Sequence, residues 1–399
     1  MENKKLKLKI QNFKNLFHLS EAILANIYYG FPSKKLKVIG VTGTDGKTTT
    51  THLIYHILKS AGKKASVIST VYTKVGNQET DTGLHTTTPR SLLIQELLKL
   101  AVDHGDEYFI LETTSHALDQ NRVWGVNYYT SVLTNITHEH LDYHKNYNDY
   151  LKAKTKLLLS SKIAVINRDD QSFNRLNKAL KEKNVKTLTY GFQHKSDFYI
   201  DFKQNLTDFN QFNYLAAYSV CKVLGLSDQS ILKAIKSFEL PKGRLDIVYD
   251  KDFKIIIDFA HTPNAIANVL KSVKNNYFGK KGRLIHVFGS AGLRDATKRP
   301  LMGEASAKYA DVIILTEEDC RTEDVNDIIN QIEKGIPKKF KVLKIQDRQE
   351  AINKAISLVK EGDVVILTGK GHEKSLCRGR IEYSWDEYGA VEKALKFLI

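Results

Sequence analysis

From Lys37 onward the chain alternates short apolar runs with longer stretches whose apolar residues recur every three or four positions. KVIGVT, ASVIST, YFILET, TSVLTNI and KIAVINR read as buried strands, and residues 48–60 and 91–104 read as helices between them. LPKGR, at residues 240–244, reads as a turn-like linker. The alternation then resumes: FKIIIDFA, RLIHVFGS, DVIILTEE and DVVILTGK are strand-like, and residues 265–275 and 350–360 are helix-like. Such alternation predicts a largely parallel sheet with helices on both faces. The predicted organisation is a short helical extension over residues 1–35, a first α/β domain over 36–240 and a second over 241–399. No internal repeat or low-complexity tract interrupts it.

The N-terminal residues follow another pattern. Lys4, Lys5, Lys7, Lys9 and Lys14 precede an apolar stretch over residues 16–29. The arrangement loosely mimics a secretory signal, but His18 and Glu21 interrupt the stretch and no small-residue cleavage site follows. It is also shorter than the roughly 20 apolar residues that span a bilayer. An amphipathic helix packed on the first domain is expected, with a membrane-surface helix as the alternative.

Composition narrows the class. Hydrophobic residues make up 42% and charged residues 26%, which suits a soluble globular chain of two or three domains. The net charge of +15 fits a site for polyanions such as nucleotides and carboxylates, and fits a lysine-rich proteome equally well. No nucleic-acid recognition motif accompanies it. Cys221, Cys320 and Cys377 form neither a CxxC pair nor zinc spacing, so a reducing cytoplasm is expected.

The sharpest chemical signal is VIGVTGTDGKTTT. It places Gly40, Gly43 and Gly46 ahead of Lys47 and Thr48, where a strand ends and a helix begins. Glycine lets the backbone approach a phosphate closely. Free N–H groups at a helix start attract the anion. Lys47 would reach the terminal phosphates, and the Thr48 hydroxyl would hold Mg²⁺. The spacing departs from the usual GxxxxGK[ST], because Val41 stands where the first glycine belongs.

Two further residues sit at carboxyl ends of predicted strands, the edge where ligands bind in open α/β sheets. Glu112 ends YFILE, and His140 follows TSVLTNI. A carboxylate and an imidazole there suit a Mg²⁺ bridging ATP to a second anion. Each also reads as an ordinary capping or loop residue. His138, His140 and His144 leave zinc open as well, without HExxH spacing.

GVTGTDGKTT is similar to the GxTGTNGKTT loop of the Mur ligases and the folylpolyglutamate synthetases, with Asp45 in place of the usual Asn. The resemblance implies ATP binding by Gly43, Thr44, Asp45, Gly46, Lys47, Thr48 and Thr49. It extends over residues 36–399 and implies a P-loop central ATPase domain with a mostly parallel sheet plus a C-terminal Rossmann-like α/β domain. LETTSHALDQNR and LTNITHEHLDYH resemble segments of the Mur ligases that add the third residue of the peptidoglycan stem peptide. By that match Glu112 and His140 are Mg²⁺ ligands. Thr114, Gln120 and Arg122, with Thr87 and Thr88 of HTTTPR, hold the muramoyl-dipeptide. YLKAK matches the segment with a carbamylated lysine and implies that Lys154 carries a carbamate, an anionic ligand for a second Mg²⁺. DFNQFNYLAA places Asn210 and Asn213 near the adenine.

In the second half LPKGRLD matches the family's linker, giving Gly243 and Arg244. DFAHTPNA places Asp258 and His261 near ATP or the acyl phosphate. FGSAGLRDATKRPLMG keeps Arg294, Asp295, Lys298 and Arg299 but carries Ser290 and Ala291 at two usual positions; Lys298 and Arg299 are expected to assist catalysis on domain closure. Glu318, Asp319, Cys320 and Arg321 stand where diaminopimelate-adding members carry D-N-P-R, so Arg321 and Arg294 are expected to bind carboxylate. TGKGHE matches fully, placing Gly369 and Glu373 on the distal end of diaminopimelate.

The implied enzyme is an ATP-dependent, Mg²⁺-requiring amide ligase acting on a nucleotide-linked muramoyl peptide and a diamino acid. It is expected to be a cytoplasmic monomer without an integral membrane segment. Family members usually carry a UDP-binding domain ahead of the loop, whereas 39 residues precede Gly40 here. Weak UDP binding, a partner supplying UDP recognition and an acceptor without UDP all stay open. So do a related ligase with another acceptor and an ATP-binding module without ligase activity.

Overall fold

The computed structural model describes residues 2–80, 87–137, 139, 141–202, 208–277 and 282–396, with the backbone alone at residues 2–10, 12, 13, 141, 142 and 208. Two compact units emerge. The first comprises Met1–Ile136 and Asn146–Glu239, the second Thr137–Lys145 and Leu240–Ile399.

The first unit is built on an eight-stranded sheet. Its strands are β1 (Lys37–Thr42), β2 (Ala65–Ile68), β3 (Thr73–Val75), β4 (Gln78–Thr80), β5 (Tyr108–Glu112), β6 (Tyr128–Leu133), β7 (Ser161–Asn167) and β8 (Lys186–Tyr190), in the order β4-β3-β2-β5-β1-β6-β7-β8. The strands from β2 to β8 across the sheet pair in parallel, while β3 and β4 form an antiparallel edge. That edge was not anticipated: its strands have three residues each and β4 is exposed throughout, so neither carries an apolar run.

The helices are α1 (Glu2–Tyr29), α2 (Lys47–Ser60), α3 (Ser91–Asp103), α4 (Ser115–Asp119), α5 (Leu141–His144), α6 (Tyr147–Leu159), α7 (Phe173–Glu182), α8 (Asp208–Val223) and α9 (Asp228–Lys236), with α5 belonging to the second unit. Side chains of β1 point alternately to opposite faces. Ile39 and Val41 join Leu53, Ile57 and Leu215, from α2 and α8, in one cluster. Val38 joins Ile94, Leu98 and Leu157, from α3 and α6, in the other. Each such fully buried side chain contributes about 1.5–3 kcal/mol, so β1 is clamped from both sides.

Helix α1 packs on α3 and runs through the lysine-rich segment as well as the apolar one. It ends at Gly30 (φ 69°), where Phe31 N–H donates to Asn26 O at 2.9 Å, a left-handed helix stop suited to glycine.

The second unit holds β9 (Asp246–Asp250), β10 (Lys254–Ile257), β11 (Leu284–Phe288), β12 (Val312–Leu315), β13 (Val342–Lys344) and β14 (Val364–Leu367), in the order β13-β12-β11-β14-β10-β9. All pairs are parallel except β9 with β10. A separate hairpin joins β15 (Ser375–Arg378) to β16 (Ile381–Ser384). Segment 137–145 groups with this unit instead of the one preceding it in sequence. There Glu139 and Lys298, both nearly inaccessible, pair at 3.1 Å.

Candidate functional site

The sheet register assembles the phosphate-loop site. Val41 lies opposite Glu112, and Thr42 opposite Leu133, so the loop leaving β1 emerges between the ends of β5 and β6. Gly43 and Gly46 adopt φ of 154° and 79°. A Cβ on Gly43 would overlap the Thr134 hydroxyl, and one on Gly46 would overlap the Asn213 amide. Glycine is therefore required for both conformation and space. Thr134 and Asn135 fasten the loop: Thr134 Oγ1 donates to Asp45 O at 2.6 Å, and Asn135 Oδ1 accepts from Asp45 N–H at 3.0 Å. Asn213 Nδ2 donates to Asn210 Oδ1 at 3.2 Å, which places this pair against the loop as well.

Lys47 opens α2 and folds back on the loop, its Nζ 2.8 Å from Thr44 O. Glu112 is fully buried at the end of β5. Its carboxylate accepts from Thr48 Oγ1, Thr70 Oγ1 and Thr70 N–H, each at 2.9 Å. Two hydroxyls and a carboxylate beside a phosphate loop are hard oxygen donors, and they fit Mg²⁺. Thr48 and Glu112 would hold it, and it would neutralise phosphate charge there. His140 lies outside the described residues, as does His138. The zinc reading for these histidines therefore meets no test; among the described residues no cluster of three or more His, Cys, Asp or Glu side chains could hold a metal.

Lys154, on α6, is 1% exposed. Its Nζ donates to Gly43 O at 2.5 Å and lies 4.6 Å from the Tyr150 ring centre. The Tyr150 hydroxyl lies 3.1 Å from Thr44 Oγ1. A lysine amine is thus buried at the loop.

Thr87, Thr88, Thr114 and Arg122 converge beside Glu112. Thr70 Oγ1, whose proton goes to Glu112, lies 3.0 Å from Thr87 Oγ1 and can accept from it. Thr88 Oγ1 donates to Glu112 O at 3.0 Å and accepts from Thr114 N–H at 2.9 Å. Thr114 also caps α4, accepting from Ala117 N–H. Arg122 Nη1 donates to Thr88 O at 3.1 Å. Gln120 Oε1 is shielded from water and accepts no hydrogen bond from any described residue.

The second unit holds a separate constellation built on charge. Lys370 is fully buried between Asp319 (2.9 Å) and Glu373 (2.6 Å). Those partners hold its amine above the ordinary lysine range although burial acts the other way. Glu318 is 6% exposed, and its Oε2 is buried without a hydrogen-bond partner among the described residues. Burial, then the Asp319 charge, pushes its carboxyl above the ordinary range. A Cβ on Gly369 (φ 102°) would press on that same oxygen. Arg321 takes a left-handed conformation, φ 52°, anchored by its N–H to Cys377 O at 2.9 Å. Its Nη1 donates to Gly292 O at 2.5 Å. Glu318, Asp319, Arg321, Gly369 and Glu373 are thereby brought together.

Other expected residues are placed differently. Arg299 is buried and bonded to Glu323, Gln331 and Ala291 O, so it braces the loop. Arg294 is exposed, and Lys298 pairs with Glu139. Asp258 accepts from Leu245 N–H and Ala260 N–H, both at 2.7 Å, and so holds the turn after Gly243. Arg244 stacks 4.6 Å over Phe259, whose carbonyl oxygen lies 2.9 Å from His261 Nδ1. The sequence pattern does not single out Thr70, Tyr150, Glu139 or Lys370. Lys370 lies inside TGKGHE, where the resemblance assigns roles to Gly369 and Glu373.

Comparison with known proteins decides the family. The model of the Mur ligase middle domain matches residues 41–225, and that of the Mur ligase glutamate ligase domain matches residues 243–371. The chain belongs to the Mur ligase family. It is an ATP-dependent, Mg²⁺-requiring ligase. Among curated relatives, the UDP-N-acetylmuramoyl-L-alanyl-D-glutamate–2,6-diaminopimelate ligase of Aquifex aeolicus is 39% identical over 93% of this chain and 80% of its own length. The same-named enzyme of Geobacillus thermodenitrificans is 37% identical over 94% and 82%. A solved structure of a ligase of that name superposes with a TM-score of 0.60 at 30% identity, over 91% of this Mur ligase and 79% of the other chain. The Mycobacterium tuberculosis folylpolyglutamate synthase gives 0.69 at 16% identity, over 88% and 92%, a likeness of fold.

Proposed function

We propose that this Mur ligase adds meso-diaminopimelate to a nucleotide-linked muramoyl-dipeptide in peptidoglycan precursor synthesis. The observation that carries the choice of amino acid is one cluster that holds both the orphaned, buried Glu318 Oε2 and the guanidinium of Arg321. An unpaired buried polar atom costs about 1–3 kcal/mol, and an incoming ammonium would offset that. The distal end of diaminopimelate carries an ammonium and a carboxylate together, and the cluster offers Glu318 and Glu373 for the first and Arg321 for the second. The names of the relatives agree with this reading.

In the first step a substrate carboxylate oxygen attacks the γ-phosphorus of ATP, and ADP leaves with the bridging oxygen. The acyl phosphate is then attacked by the amine of the amino acid. The amide forms, phosphate departs, and the amine nitrogen loses a proton. Lys47 and the loop N–H groups stabilise the charge on the moving phosphoryl group. Thr87, Thr88, Thr114, Gln120 and Arg122 position the acceptor. Asn210, Asn213, Arg244, Asp258 and His261 shape the nucleotide side, and Lys298 and Arg294 serve the acyl phosphate and the amino-acid carboxylate.

Carbamylation of Lys154 belongs to the same proposal. Its support is the burial of the amine at Gly43 O, where a carbamate would supply anionic oxygens beside the loop. Intact-mass and peptide mass spectrometry of protein kept in bicarbonate would show the added carboxyl at Lys154; an unmodified lysine there overturns it.

The function itself is tested by phosphate release with UDP-muramoyl-dipeptide and diaminopimelate, lysine or no amino acid. Release dependent on diaminopimelate is expected. Release that depends on no amino acid sinks the proposal.

A further inference from the structure

Helix α1 turns five of its large apolar side chains away from the protein it packs on, while Leu19, Ile23 and Tyr29 are half-buried. At 100° per residue, Leu16, Phe17, Leu24, Ile27 and Tyr28 fall within an arc of about 120°. Their exposures are 61, 57, 67, 61 and 79%. The opposite arc carries Ala22, Ala25 and Asn26, each 0–1% exposed, and this small-residue face meets the body of the first unit. Burial of α1 on its own protein therefore uses the weaker apolar face and leaves the stronger one in water, an arrangement that marks an interaction surface. In the sequence the same spacing continues upstream through Leu6, Ile10 and Phe13. From Leu16 to Tyr28 the exposed stripe is about 18 Å long at 1.5 Å per residue.

Charge selects the occupant. The helix carries five lysines against two glutamates, with Lys4, Lys5, Lys7, Lys9 and Lys14 in its first half. The whole chain carries +15. A second copy of α1 laid parallel to the first would set the two lysine-rich halves against each other, which disfavours that pairing. An anionic lipid surface meets both features at once, because it takes apolar side chains at the acyl boundary and ammonium groups among its headgroups. A transmembrane role does not fit: no helix among the described residues is long and apolar enough to cross a bilayer, and one face of α1 is occupied by the protein. We propose that α1 is an in-plane anchor that binds the first unit to an anionic membrane surface through Leu16, Phe17, Leu24, Ile27 and Tyr28 and the lysines that precede them.

The test is co-sedimentation of the full chain with vesicles of phosphatidylcholine alone or mixed with phosphatidylglycerol. Binding to the mixed vesicles is expected, weaker on phosphatidylcholine alone and weaker at high salt. The double variant Phe17→Glu, Leu24→Glu should lose binding by about tenfold or more, while its lipid-free circular dichroism and phosphate release stay those of the parent. A second variant, Lys4, Lys5, Lys7 and Lys9 each to Gln, should lose the preference for phosphatidylglycerol. No binding to mixed vesicles, or equal binding by parent and Phe17→Glu, Leu24→Glu, overturns the proposal. So does a parent that light scattering finds dimeric and a double variant that is monomeric, which would assign the stripe to a second copy of the chain.

Discussion

The phosphate-loop site and the Glu318 cluster solve opposite problems. The first is assembled chiefly from main chain and hydroxyls: Thr48 and Thr70 bond to the one carboxylate, Glu112, and the Lys47 and Lys154 amines each fold onto a loop carbonyl. The second is assembled from charges, with Lys370 shared between Asp319 and Glu373 and Arg321 held by Gly292 O. A site of fixed dipoles suits a ligand that never changes, such as a triphosphate. A site of paired charges suits discrimination between amino acids, because an orphaned carboxylate oxygen disfavours a ligand that brings no cation to it.

The comparison is sharpened most by removing a member of the first site. Lys47→Ala and Glu112→Gln should each lower kcat by about 10²–10³, as loss of a preorganised charge-stabilising group does. The loss should be the same with every amino acid tested; a loss that depended on the amino acid would merge the two sites. Glu318→Gln should lower kcat/KM for diaminopimelate by about tenfold or more, the worth of one charged hydrogen bond, and leave KM for ATP unchanged. Steady-state kinetics against 2-aminopimelate, which lacks the distal amine, should show no further loss in that variant.

A third expectation concerns the core under the charged cluster. Burial, then the Arg348 charge, lowers His286 to about 3 from 6.5. The unfolded chain takes up this proton below pH 6.5, whereas the folded chain resists until about pH 3. Stability therefore falls as pH drops through that window, by up to about 1.4 kcal/mol per pH unit for this group. Urea unfolding of the parent and His286→Gln should give a shallower pH slope for the variant.

The smallest effect tests whether α1 supports the proposed acceptor side. Asn26 Nδ2 donates to Trp124 O at 2.9 Å and so holds the turn after Arg122. Asn26→Ala should cost about 1 kcal/mol of stability, with a several-fold rise in KM for the muramoyl substrate and no change for ATP.

Legibility followed contiguity. The loop from Gly40 to Thr49 declared itself because its strand, glycines, lysine and helix are adjacent in sequence. Glu112 was readable because a carboxylate that ends an apolar strand faces the ligand edge of the sheet. Thr70 was not, since its role exists only through contact with a residue 42 positions away. Lys370 stood inside a recognised motif, yet its importance comes from Asp319, 51 positions upstream. Arg299 stood in a basic motif as a residue expected to assist on domain closure, and its bonds to Glu323 and Gln331 come from residues 24 and 32 positions away. Among elements, long apolar strands were visible, while β3, β4, β9 and the β15–β16 hairpin were too short or too exposed to leave a pattern.

The most direct measurement is mass spectrometry of the product formed from ATP, UDP-muramoyl-dipeptide and an equimolar mixture of diaminopimelate and lysine. The predicted result is a single product that has gained one diaminopimelate residue, with one ADP formed per amide. A product that has gained lysine, or ADP formed with no amide, would contradict the account.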